Sequence, residues 1–205
     1  FGKGSIIPYI SCDFYYEFAR FPESRTHLHI CLRGDRKIDH RVGKLLTLIS
    51  QQPVKHTYTL DIESDKRQNR KAHKAEMELR WVKAAIKKPK PSRATADAPT
   101  VSIYLVEVRE KPASVPEGEV PLCWRLATTH RVEDYQKAML IVYWYTCRWY
   151  IEQLFRLLKN KGFRIEDSEL ETGWAIRKLT LFVLQSALRV LLMMLAYNAP
   201  AAQPV

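Results

Sequence analysis

The middle of the chain alternates apolar and polar residues with a period of two, as strands do when they bury one face. Leu28, Ile30 and Leu32 fall on one face, then Val54, His56, Tyr58, Leu60 and Ile62, then Met77, Leu79 and Trp81. Val101 to Val108 is apolar on both faces, and Leu122, Trp124 and Leu126 alternate just before Thr128 and Thr129. Prolines separate these runs, at Pro89, Pro91 and Pro99 and again at Pro112, Pro116 and Pro121, so the pattern predicts a sheet joined by exposed loops.

From Val132 the period becomes helical. Glu133 and Asp134 stand in the first turn, where the helix dipole favours acidic groups. The spacing predicts one helix running to Lys161, stopped by Gly162 in a left-handed cap, and a second apolar helix over roughly Leu170 to Ala196. The stretch from Leu179 to Ala196 is the most membrane-like. Gln185, Ser186 and Arg189 interrupt it, and a central Arg is costly in hydrocarbon, so a buried helix is expected and no membrane role.

The first of these helices is two-sided. With Tyr145 at zero and about 100° per residue, Arg148, Glu152, Arg156 and Lys159 fall within roughly 80° of arc. Trp144, Cys147, Tyr150, Ile151, Leu154, Phe155, Leu157 and Leu158 make an apolar stripe opposite, predicted to seat the helix on a sheet. Phosphate oxygens take Arg and Lys donors and a Mg²⁺ takes a carboxylate, so a lone Glu among cations is chemically suggestive. Spacing alone favours an ordinary solvated face, with ion pairs of a few tenths of a kcal/mol each.

Composition narrows the partners. The 205 residues are 46% apolar, enough for one sizeable core or one domain with a large insertion. Thirty-three Lys and Arg against 22 Asp and Glu leave a formal charge of +11, which suits a polyanion such as nucleic acid. The cations cluster at Lys66, Arg67, Arg70, Lys71, Lys74, Arg80, Lys83, Lys87, Lys88, Lys90 and Arg93. Such a run serves either as a lysine-protected hairpin edge or as a track for a phosphate backbone. Cys12, Cys31, Cys123 and Cys147 are scattered and fit a reducing cytoplasm. His27 and His29, two apart on a strand, have no Cys or carboxylate placed to complete a metal site, and exposed strand histidines are expected. The chain begins with Phe1, as a fragment would.

The string itself is more specific than its spacing. Tyr145-x-x-Arg148-x-x-x-Glu152, six residues, then Lys159, resembles the Tyr-Arg-Glu-Lys signature of the insertion-sequence-four group of DDE transposases. Trp149, Ile151, the Lys161-Gly162 step and the Arg164, Ile165 and Glu166 that follow resemble its surroundings, and Trp124 to Thr129 resembles the strand before the Glu-bearing helix. The resemblance covers about residues 13 to 196. It implies an α/β fold, the C-terminal part of an RNase H-like fold with a β-rich insertion followed by long helices, its N-terminal strands missing. In those terms residues 1–25 are a core remnant with a short helix, 26–121 the insertion, and 122–205 the last core strand, the Glu-bearing helix and the C-terminal helix.

The resemblance also implies roles. Glu152 matches the catalytic, metal-binding Glu of a triad that holds Mg²⁺ for DNA strand cleavage and transfer. Tyr145, Arg148 and Lys159 match positions that grip phosphates at the transposon end, with Arg156 on the same face as a helper. Trp124 matches a tryptophan that stacks on a flipped base, although a Trp between Leu122 and Leu126 in a strand is also ordinary core.

Asp13, Tyr15, Glu17, Ala19, Arg20 and Pro22 resemble the segment after the second catalytic Asp, and counting back four places puts Tyr9 where that Asp belongs. The first Asp would lie further upstream. The expectation is a transposase portion that binds terminal repeats, alone, as a homodimer or with full-length transposase, and does not cleave. The alternatives are a DNA-binding inhibitor of transposition and the product of a decayed copy.

Overall fold

The four alternating runs and the run apolar on both faces all form strands, and a sixth short one joins them. In the computed structural model they are β1 (Gly4–Ile6), β2 (Thr26–Cys31), β3 (His56–Ile62), β4 (His73–Lys87), β5 (Thr100–Glu110) and β6 (Cys123–Thr128). The residues described are 4–6, 15–20, 26–64, 70–89, 98–161, 163–164 and 167–198. Cys12, Tyr9 and Asp13 lie outside them, as do Lys66, Arg67, Lys90, Arg93, Gly162, Ile165 and Glu166.

The strands make one sheet in the order β1-β2-β6-β5-β4-β3. β1 runs parallel to β2 and every other pair is antiparallel. The sheet is continuous across residues 121–122, because β6 pairs with both β5 and β2. Thr128 and Thr129 fasten that junction. The Thr128 hydroxyl donates to the Leu28 carbonyl at 2.9 Å, and the Leu28 N–H donates to the Thr129 hydroxyl at 3.0 Å.

β4 buries different faces along its length. Ala75, Met77, Leu79 and Trp81 are buried at odd positions, and Ala84 and Ile86 at even ones, so the inward side changes between Trp81 and Ala84. β5 does the same, with Ile103 and Leu105 on one side and Val106 and Val108 on the other. Two cores result. Leu28, Ile30, Ala84, Ile86, Ile103 and Leu105 meet Tyr15 and Phe18 of α1 (Tyr15–Arg20) and Leu45, Leu48 and Ile49 of α2 (Leu45–Ser50). Met77, Leu79, Trp81, Val106, Val108 and Leu126 meet Ala138, Ile141 and Val142 of α3 (Tyr135–Thr146). The protein is a mixed α/β structure with helices on both faces of a mainly antiparallel sheet. Asp134 starts α3, its carboxylate accepting the Lys137 N–H at 2.8 Å in the N-cap manner.

Two compact units divide between Tyr145 and Thr146. The second holds α4 (Arg148–Arg156), a π-helical turn at Leu157–Lys161 and α5 (Gly173–Asn198). Its core is small: Leu158, Val183 and Ala187 are buried, with Leu154, Leu157 and Leu179 against them. Thr172 caps α5 by accepting the Ala175 N–H at 3.2 Å.

The helix expected over Val132 to Lys161 is therefore three pieces, interrupted at Cys147 and widened at Leu157. The buried helix expected at Leu170 to Ala196 is largely open: Leu181 and Phe182 are 68% and 69% exposed. By length and composition α5 is also long and apolar enough to cross a membrane.

Leu105 is fully buried in the first core, so Leu105→Ala should cost about 3 kcal/mol through lost burial and the cavity left behind. Urea unfolding should show a lower midpoint at unchanged slope. Val120→Ala, at a position 75% exposed, should change stability by less than about 0.5 kcal/mol. Equal losses in the two variants would contradict the packing described.

Candidate nucleic-acid interface

α4 carries most of the predicted grip. Arg148 and Glu152, one turn apart, form an ion pair. Glu152 and Arg156 are exposed on the same short helix, and Lys159 is exposed in the π turn that follows it. π turns occur mostly as single insertions in helices, frequently at functional sites. Tyr145 belongs to the other unit, so the five residues do not lie along one regular helix as predicted. The apolar stripe divides likewise. Leu154, Leu157 and Leu158 pack in a cluster with α5, while Tyr150, Ile151 and Phe155 are exposed. Arg164, beyond the turn, takes the left-handed conformation at φ 43°.

In the first unit, Trp124 and Tyr145 come together. Their ring centroids are 5.7 Å apart at 56°, and the Tyr145 ring lies 6.2 Å from His29 at 27°. Trp124 is half-buried beside the second core. His27 stacks on His130 at 4.0 Å, and His130 sits 4.6 Å from Trp144. An aromatic ledge thus crosses β2, β6 and α3.

His29 corrects the expectation of exposed histidines. It is 0% exposed, and neither ring nitrogen has a hydrogen-bond partner. Burial, with a smaller contribution from the charge of His130, pushes its pKa down to about 4, so the ring is neutral. The strand pattern pointed His27 and His29 away from Leu28 and Ile30, toward presumed solvent. α3 covers that face instead.

The basic run is partly spent inside the fold. Arg80 donates to Glu78 at 2.8 Å and to the Gln52 carbonyl at 3.2 Å, and lies 3.8 Å from Glu107. Arg125 donates to the buried Glu107 at 2.9 Å. Arg70 donates to the Val120 carbonyl at 3.1 Å and stands 3.9 Å from Glu110, which is fully buried. Glu110 also takes the Leu122 N–H at 3.0 Å and pairs with His73 Nε2 at 2.8 Å. His73 Nδ1 lies 3.0 Å from the Lys71 carbonyl, which raises its pKa, followed by the Glu110 contact. Lys74, Lys83 and Lys87 remain exposed along β4.

Among the described residues, no group of three or more His, Cys, Asp or Glu side chains is placed to hold a metal. Cys31, Cys123 and Cys147 are free thiols. No family model matches the chain.

The two histidines give opposite pH signs. His29 has a lowered folded pKa, so the unfolded chain takes up its proton first, and stability falls as pH drops from 6.5 toward about 4. His73 has a raised one, so its contribution is complete below 6.5 and fades as pH rises through the folded value. In urea unfolding, His29→Phe should remove roughly 2 kcal/mol of the decline between pH 6.5 and 4.5. His73→Gln should lose most stability at the acidic end. Parallel pH curves for wild type and both variants would discount these assignments.

Proposed function

We propose that the chain is the C-terminal portion of an insertion-sequence-four-type transposase, with an RNase H-like core as its origin, acting in the cytoplasm on transposon-end DNA. The observation that carries the reading is the Tyr145, Arg148, Glu152, Lys159 string, with Arg156 and Lys159 solvent-exposed beside the Arg148–Glu152 pair. Arg148, Arg156 and Lys159 would contact phosphates, and the adjoining rings of Trp124 and Tyr145 would supply a stacking surface for an extruded base.

A Mg²⁺ site of the two-metal kind would need further carboxylates beside Glu152. Glu152 is one carboxylate, already engaged by Arg148, and Tyr9 stands at the sequence position of the second Asp. The proposed activity is therefore end binding without cleavage. The exposed cations around the single carboxylate of Glu152 favour an inhibitor of transposition, paired with a second copy or with full-length transposase, as the second reading.

A gel shift with duplex carrying the inverted repeats that flank its own gene, against random duplex, tests the grip. Repeats should bind at least tenfold tighter than random duplex, and Arg148→Ala with Lys159→Ala should weaken binding to both duplexes and make its salt dependence shallower. Equal affinity for both duplexes would sink the proposal. With Mg²⁺ no nicking is expected; nicking abolished by Glu152→Ala would restore the enzyme.

A further inference from the structure

A second basic surface lies in the first unit, away from the Tyr-Arg-Glu-Lys string. The segment after β2 turns back at Gly43 (φ 76°) and is sewn to the end of β4. Lys87 N–H donates to the Lys37 carbonyl at 2.8 Å, Asp39 N–H donates to the Ala85 carbonyl at 2.8 Å, and Ile38 bridges Ile86. Lys88 N–H donates to the Pro99 carbonyl at 3.0 Å. These bonds fix the backbone of Lys37, Lys87 and Lys88 around a cleft of about 430 Å³, also lined by Tyr15, Asp35, Arg36, Ile86 and Pro89.

Among the described residues the lining holds four cations and one acid. That acid is already committed: Asp35 Oδ1 accepts the N–H of Arg36 at 2.8 Å and of Leu46 at 2.9 Å, and Oδ2 lies 4.0 Å from Lys44. Leu46 is in the first turn of α2, so Asp35 serves as a remote cap there. Lys87 pairs with Asp39 at 3.0 Å, both side chains about half exposed, a pair that water screens and a phosphate can displace. Ile86 and Tyr15 form buried walls behind the charges. A concave surface lined by Arg36, Lys37, Lys87 and Lys88 suits a phosphodiester.

We infer that this cleft is a second phosphodiester-binding site, taking the backbone of duplex DNA through Arg36, Lys37, Lys87 and Lys88. It adds a sequence-independent contact to the chain, and it does not require that the α4 grip be specific for transposon ends.

Fluorescence anisotropy of the full chain with a 20-base-pair random duplex, across about 50 to 200 mM NaCl, provides the test. Lys37→Gln with Lys88→Gln should weaken binding roughly tenfold at 100 mM and make the salt slope shallower by about 2. Lys74→Gln with Lys83→Gln removes the same charge from exposed β4 positions and should cost less than about threefold. Thermal unfolding should match wild type. If the pair fails to fold, Lys37→Glu alone should still weaken binding by at least tenfold. Equal losses in the two double variants, or tighter binding to phosphatidylserine vesicles than to DNA, would overturn the cleft. Unchanged affinity in the cleft variant with repeat preference intact removes this inference alone, and no DNA binding by the wild type removes both.

Discussion

The change of buried side along β4 governs the first unit. A strand of 15 residues that kept one apolar face would support a single layer of helices. Here the inward parity changes between Trp81 and Ala84, and β5, its longest partner, changes with it between Leu105 and Val106. Sheet twist carries the two ends of such long strands toward different neighbours. The outcome is that α1 and α2 close one side at one end, and α3 closes the other side at the other end. Neither core is complete without the strands that also serve its counterpart.

That geometry explains which features were legible in the sequence. The alternating runs located the strands because a half-buried strand must alternate. Met77, Leu79 and Trp81 marked the first half of β4, but Ala84 and Ile86 are out of phase with them and fell outside the alternating run. α2 escaped notice because six mostly apolar residues, Leu45 to Ser50, carry too few turns to show a helical period. His29 was misread for the same reason that Leu28 and Ile30 were read correctly. Alternation reports which residues share a face, and it says nothing about whether the other face is covered.

The candidate site was legible as a string and poorly legible as geometry. Tyr145, Arg148, Glu152 and Lys159 have spacing that a regular helix would align. No glycine or proline announces the interruption at Cys147 or the widened turn at Leu157, so periodicity alone extended the helix through both. The charge run shows a comparable limit. Arg70 and Arg80 were counted in the basic cluster, yet buried Glu110 and Glu107 draw them into the fold, because a buried carboxylate must be paired. The cations left on the surface are fewer, and some are gathered with Arg36 and Lys37 from a segment whose basic residues did not stand out along the chain.

Asp35 joins two of these features. One carboxylate oxygen holds the first turn of α2 and the backbone of Arg36, while the residue itself lines the basic cleft. An acid among these cations would weaken their hold on an anion, and its work here is to cap a helix whose Leu45 and Ile49 are fully buried. In a mutational scan Asp35 would score as a residue needed for binding. Its measured importance would belong to folding, and a scan read without that distinction would place an acid in a site built from cations.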